Sequence, residues 1–334
     1  MIRIGLLGAG SMAAVYAERI AAVDDATVGA VASPTNAPAF VAAHAPEATA
    51  YADVDELCAD DTLDAVAILT PTHLHRLGVE AAAAAGLDVI CEKPLARTLE
   101  DARAIHRAVE DHGITFLTAH VVRFFPAYAT ARDRVAAGEV GTPGVATARR
   151  AFGHAGSRGW YDDHDASGGV LLDLAIHDFD FLRWVLGDIE RVFTRHVRWE
   201  RDGVSEVALS VLRSADGAVG HVESWWVEVP SVPFSTAFEI AGDEGLIEYD
   251  LDDVQPLRTF GQEAVHVPRD PVGHEIPLAR DGYRRQLDHF VACVAGDVEP
   301  AVPAEEGVRS LQVALAALES ATRGQPVAPA AVGR

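Results

Sequence analysis

The stretch Ile2-Arg3-Ile4-Gly5-Leu6-Leu7-Gly8-Ala9-Gly10-Ser11-Met12-Ala13 decides how the rest of the chain is read. Ile2 to Leu7 is an apolar run of β type, and Ala14 to Ala22 beyond it is helical in character. Between them lies a G-x-G-x-x-A turn in which each small residue has a physical task. Gly8 permits the tight turn, Gly10 lets a pyrophosphate come close to the backbone, and Ala13 allows the helix to pack closely on the strand. The N–H groups at the helix start, around Ser11 and Met12, face the phosphates with the positive end of the helix dipole. The stretch therefore predicts a dinucleotide site at the end of the first strand of a parallel sheet.

Outward from it, strand and helix patterns alternate. Thr27 to Ala32 reads as the second strand, whose end supplies an acid for the ribose 2′-hydroxyl of NAD or an arginine for the 2′-phosphate of NADP. Here Ser33-Pro34-Thr35-Asn36 offers neither; no carboxylate repels a 2′-phosphate, and hydroxyls and an amide are present to donate to it, so the reading leans to NADP over NAD. Leu63 to Leu69 is a buried strand, and Thr70-Pro71-Thr72-His73-Leu74-His75 after it suits a strand-end turn that starts the helix Leu74 to Ala85 and approaches the nicotinamide side. His73 and His75 also fit as exposed helix-start residues. Leu99 to His112 and Ile114 to Thr118 continue the alternation, so residues 1–122 are expected to form a doubly wound nucleotide-binding domain.

Within that domain Leu87 to Cys91 is a short apolar strand that runs into Glu92-Lys93-Pro94. Lys93 is the only lysine among 334 residues, against 26 arginines. Arginine cannot deprotonate, whereas a lysine exchanges a proton and stabilises a developing alkoxide, so a lone lysine at the end of a buried parallel strand is a candidate catalytic group. A surface lysine before a turn proline is the plainer alternative.

After about residue 123 the pattern changes to successive β runs, Val145 to Phe152, Ile189 to Trp199, Ser205 to Leu212, Val219 to Val229, Phe234 to Ala241 and Leu246 to Asp250. They predict an α+β domain over 123–334 with a large, mostly antiparallel open sheet. Such a sheet needs its second face covered, and a homodimer or homotetramer is expected. Gly168-Gly169 opens a helix from Val170 to Leu186 on which Asp173, His177 and Asp180 share one face. A carboxylate one turn from an imidazole holds its tautomer and supports its cation, as a general acid–base pair requires; a buried hydrogen bond has the same spacing. His154, Asp162, Asp163, His164 and Asp165 invite a metal reading, but the histidines lack tight ligand spacing and no metal is expected.

Composition limits the function classes. The formal charge is −23, from 50 acidic and 27 basic residues, which disfavours nucleic acid and anionic membranes as partners. So acidic a surface becomes tolerable when salt screens it, which points to a halophilic, archaeal host. Three widely spaced cysteines suggest no disulfide framework, and no long apolar run or leader is present, so a cytoplasmic location is expected.

Taken together, these segments resemble the glucose-fructose oxidoreductase, inositol dehydrogenase and MocA (Gfo/Idh/MocA) family. The resemblance runs through the Gly8 to Ala13 fingerprint, Thr70-Pro71-Thr72 with His75, Glu92-Lys93-Pro94, Arg123-Phe124 with Pro126, Gly168-Gly169 into Asp173-x-x-x-His177-x-x-Asp180, and Glu306 to Ser320. It implies an NAD(P)-dependent dehydrogenase of a sugar, sugar acid or cyclitol hydroxyl, with Lys93, Asp173 and His177 as the catalytic set. It further implies that Thr70, Pro71, His75, Glu92 and Lys93, with Gly8, Gly10, Ser11, Met12 and Ser33, line the cofactor, and that Arg123, His154 and Asp180 meet the substrate. A cofactor-sensing regulator and a redox-neutral enzyme with tightly held NAD are the alternatives on the same fold.

Overall fold

The structure, a computed structural model, describes residues 1–156, 159–200, 203–251, 257–260, 265–267 and 277–332. The first sheet has six strands, β1 (Ile2–Leu7), β2 (Ala26–Ala32), β3 (Thr49–Tyr51), β4 (Ala65–Ile68), β5 (Asp88–Glu92) and β6 (Phe116–Ala119). All neighbours are parallel, in the order β3-β2-β1-β4-β5-β6. Every residue of β4 and β6 is buried, which is why these strands read as unbroken apolar runs rather than alternating ones. The intervening helices are α1 (Ser11–Ile20), α2 (Ala37–His44), α3 (Val54–Cys58), α4 (His75–Ala84) and α5 (Leu99–His112). Local chemistry ends them: the Thr98 side chain accepts the Asp101 N–H to start α5, and Gly113, with φ of 64°, turns the chain out of it.

The second sheet has eight strands and carries short helices on one face. Its elements are α6 (Pro126–Ala136), β7 (Pro143–Gly153), α7 (His164–Ser167), α8 (Gly169–Asp173), α9 (Ile176–Leu186), β8 (Ile189–Glu200), β9 (Val204–Ser214), β10 (Val219–Val227), β11 (Ser235–Gly242), β12 (Leu246–Asp250), β13 (Leu257–Phe260) and β14 (Val265–Val267). The order is β14-β13-β12-β11-β7-β10-β9-β8; β7 and β10 are parallel and the other pairs antiparallel. Burial alternates along the strands. In β9, Val204, Glu206, Ala208, Ser210 and Leu212 point inward while Leu209 and Val211 stay exposed.

Two helices close the chain, α10 (Pro277–Val294) and α11 (Ala304–Arg323). The chain forms two compact units, Met1–Phe125 with Leu278–Arg309, and Pro126–Pro277 with Ser310–Arg334. The segment 278–309, expected in the second domain, thus belongs to the first. Its apolar residues Leu287, Phe290, Val291 and Val302 join the core that Ile4, Leu6, Ile90 and Leu117 build, and Val302 O accepts the Thr118 N–H at 2.8 Å. Helical periodicity shows that α10 has a buried face but not which sheet receives it.

The expected helix from Val170 to Leu186 is two helices. The Ala175 N–H reaches back five residues to Val170 O at 2.8 Å, and the Asp178 N–H only three, to Ala175 O at 3.0 Å, so a widened turn meets a tight one and the axis breaks. Asp173 and His177 stay partly exposed on either side of the break while Asp180 is fully buried, so the three do not present one common face.

Candidate active site

The loops after β1, β4 and β5 come together because those strands are parallel neighbours in the sheet, and the order in which strands are added reverses between β1 and β4. In open α/β sheets that switch point is where a ligand crevice forms. Gly8 has φ of 119°, and a Cβ there would lie 2.7 Å from Leu69 O, so the loop after β1 can close on the loop after β4 only without a side chain. Gly10 is different. Its backbone is extended and a Cβ would meet nothing within 4 Å, so nothing inside the protein asks for glycine there. It stands at the N-cap of α1, which has no side-chain cap and no acidic residue in its first turn. The uncapped N–H groups and the open space beside them fit the pyrophosphate of a dinucleotide. After β2, Ser33 is partly buried and Pro34, Thr35 and Asn36 are exposed, and the Asn36 amide donates to Ala9 O at 3.3 Å.

The turn after β5 holds Lys93. From Cys91 to Ala96 every residue is buried except Lys93, which is partly exposed, so the fold hides the turn and presents its ammonium-bearing residue. The Lys93-Pro94 peptide bond is cis. His75, the first residue of α4, lies behind this turn, 1% exposed. Its Nδ1 is 3.0 Å from Pro94 O and 3.3 Å from Leu95 O, and its Nε2 is 3.0 Å from Thr70 O. Burial pushes the ring down to about 4 against the upward pull of these carbonyls, so near neutrality it donates its one N–H to one side of the clasp. The ring ties the β4 and β5 loops together from inside, so His75 is not the exposed helix-start residue that the sequence also allowed. Glu92, also buried, accepts the Lys93 N–H at 3.2 Å.

In the second unit the start of α8 rests on Glu206. This carboxylate, fully buried, accepts the Val170 N–H at 2.7 Å, His196 Nε2 at 3.2 Å and Arg198 Nη1 at 2.8 Å. Burial pushes its pKa up, but the His196 hydrogen bond, the Val170 N–H and the charges of His196 and Arg198 outweigh that and hold it below the usual carboxylate range. Gly169, with φ of 66°, leaves room for it: a Cβ there would fall 2.5 Å from Glu206 Oε2. Behind α9, Arg150 grips Asp178 through Nη2 at 2.8 Å and Nε at 3.1 Å and also donates to Tyr128 Oη at 3.2 Å. These groups fix the two helices that carry Asp173 and His177.

The three residues expected to meet substrate are all buried and make internal contacts. Arg123 Nη2 donates to Glu306 Oε2 at 2.9 Å inside the first unit, with the side chain 5% exposed. His154 places Nε2 2.8 Å from Val204 O and Nδ1 3.1 Å from Gly156 O. Asp180, fully buried, accepts the Ser310 hydroxyl at 2.6 Å. In these positions all three join structural elements. Sequence reasoning missed Tyr16, Arg150, Asp178, Glu206 and Gln286; the signal for Arg150 and Glu206 was their in-register place among the inward residues Ala146-x-Ala148 and Val204, Ala208.

The parallel sheet, the uncapped glycine turn and the lysine at the strand end define an NAD-binding oxidoreductase built of two units. The chain belongs to the Gfo/Idh/MocA family: residues 2–120 match the oxidoreductase family's NAD-binding Rossmann fold and residues 132–328 its C-terminal alpha/beta domain. It is 33% identical to a 1,5-anhydro-D-fructose reductase of Ensifer adhaerens, over 97% of this chain and 98% of that one. It is 31% identical to a D-xylose 1-dehydrogenase (NADP(+)) of Haloferax volcanii, over 93% and 91%. A solved structure of a probable dehydrogenase from Thermotoga maritima superposes with a TM-score of 0.83 at 27% identity, covering 99% and 100% of the two chains.

Gly10→Asp should abolish dinucleotide binding, read by fluorescence titration with reduced nicotinamide cofactor, while the melting midpoint stays near the parent value. The added carboxylate occupies open space rather than core but brings like charge to the phosphates. Undiminished titration would remove the cradle from the account.

Proposed function

We propose that the protein is an NAD(P)-dependent dehydrogenase that acts on a secondary hydroxyl of a sugar, sugar acid or cyclitol, or reduces the corresponding carbonyl. The observation that carries this is Lys93, the chain's single ammonium side chain, presented from a turn whose other residues are buried, on the strand beside the one that borders the dinucleotide cradle. The relatives are named for sugars and inositols, which supports a polyol substrate. When bound, the nicotinamide supplies hydride acceptance and donation at C4. Lys93 stabilises alkoxide character on the substrate oxygen. His177 takes the hydroxyl proton in the oxidative direction, and Asp173, at the other side of the helix break, orients the imidazole and supports its cation.

Ser33, Thr35 and Asn36 leave no carboxylate against a 2′-phosphate, and the Haloferax relative is named as NADP-dependent; both favour NADP. The charge of −23 and the loss of all lysines but one favour a halophilic host. Three free cysteines favour a reducing cytoplasm, and among the described residues no helix is long and apolar enough to cross a membrane. On the outer face of the second sheet Val145, Val197, Leu209, Val211 and Val219 are 42–49% exposed, which favours a homodimer or homotetramer that covers them.

With polyols and aldonic acids assayed at high salt, Lys93→Arg should lower kcat by about 10² or more and leave cofactor affinity within about threefold, because the guanidinium keeps the charge but not the accessible proton. Turnover near the parent rate would show the lone lysine to be an accident of composition. For the halophilic reading, the melting midpoint should rise between about 0.1 M and molar potassium chloride, where the Debye length falls to about 3 Å; a flat or falling curve would return the chain to the ordinary acidic proteins.

A further inference from the structure

Beneath the Lys93 turn runs a buried polar chain that the proposed chemistry does not use. Gln286 of α10 donates Nε2–H to Tyr16 Oη at 3.1 Å, Tyr16 donates its hydroxyl to Glu92 Oε1 at 2.9 Å, and Glu92 Oε2 accepts the backbone N–H of Lys93 at 3.2 Å. Tyr16 and Gln286 are fully buried and Glu92 is 8% exposed, so water has little access to the chain. Burial, then the neighbouring Glu92 charge, raises the Tyr16 phenol well above its ordinary value, so the hydroxyl keeps its proton and remains a donor.

Packing alone does not account for this arrangement. Tyr16 fills its place in the core with a ring, and a phenylalanine would fill the same place without an oxygen. A buried carboxylate is costly unless its oxygens are occupied, and here one oxygen takes the phenol and the other the peptide N–H of Lys93. That second bond restrains the peptide plane from which the Lys93 side chain departs. The first bond leads to α1, the helix whose uncapped N-terminus makes the dinucleotide cradle. Tyr16 therefore sits on a rigid element that has the cradle at one end and the lysine turn against its side.

We infer that Tyr16 is a positioning residue, which through Glu92 fixes the backbone of Lys93 relative to the helix that seats the cofactor. The inference rests on the reading of Lys93 as the catalytic ammonium. Removal of the hydroxyl leaves Glu92 with one partner fewer and lets the turn shift, and a misplacement of about 1 Å is enough to slow a reaction that depends on a positioned group by up to about 10²-fold. The cofactor cradle itself is untouched, because its N–H groups belong to the first turn of α1.

The test is a double-mutant cycle on the full chain at saturating cofactor. Tyr16→Phe should lower kcat about 10-fold with cofactor affinity changed by less than about threefold. In a Lys93→Met background, whose residual rate is measured at high enzyme concentration, the same change should cost less than about twofold, since a residue that acts through the lysine has nothing left to position. Gln286→Leu, which removes only the donor to Tyr16, should lower kcat in the same direction by a smaller factor, and serves in the cycle if Tyr16→Phe fails to fold. Equal losses in both backgrounds, or parent turnover in Tyr16→Phe, would overturn the inference. Parent turnover in Lys93→Met would instead overturn the assignment of the lysine.

Discussion

A parallel sheet directs the C-terminal ends of all its strands to one edge, and that constraint governs this molecule. Because β1, β4 and β5 are adjacent, the glycine turn, the Thr70-Pro71 loop and the Lys93 turn become neighbours without any of them being long. The sheet cannot hold the loops in place by itself, since strand hydrogen bonds end where the loops begin. His75 spans the β4 and β5 loops, and Gly8 allows the β1 loop to lie against Leu69. The site is thus a product of strand order first and of a few buried polar contacts second.

Buried polar groups recur wherever a residue of the proposed chemistry has to be held. Glu92 holds the Lys93 peptide, Glu206 holds the first turn of α8, and Arg150 with Asp178 holds α9. Removal of one partner from such a pair leaves an uncompensated charge in a low-dielectric interior, a loss of about 3–5 kcal/mol. Hydrophobic packing would be at least as stabilising, but it is tolerant of small displacements. Directional bonds to a carboxylate are less so, and they occur here at the ends of the elements that carry Lys93, Asp173 and His177. The broken axis between α8 and α9 belongs to the same economy of position, since it gives Asp173 and His177 partial exposure while Asp180 and Asp178 go inward.

How much of this was legible in the sequence depends on the range of the interaction. Strand-turn-helix alternation and the composition of the Gly8 to Ala13 turn are local, and they led to the parallel sheet and the cradle; the same holds for the β runs of the second unit. The burial of His75, His154 and Asp180 was not legible, because sequence spacing is blind to burial. His75 and His154 each have both ring nitrogens against backbone carbonyls that no pattern reveals. The return of residues 278–309 to the first unit and the Gln286 to Tyr16 contact join positions 270 residues apart, beyond any periodicity. The helix break at Leu174-Ala175 has no glycine or proline to announce it.

The single lysine allows the central claim, that Lys93 is the working ammonium, to be tested at one atom. Protein grown with lysine carrying 13C at Cε gives one side-chain lysine signal, from Lys93, with no other lysine to overlap it. Its titration from about pH 5 to about pH 11, with cofactor bound, is to be compared with the pH profile of kcat over the same range. The account predicts that the midpoint of the signal coincides with one limb of the rate profile and that both move together in Glu92→Gln. A rate profile whose limbs fall elsewhere, with the lysine signal unchanged across them, would contradict it.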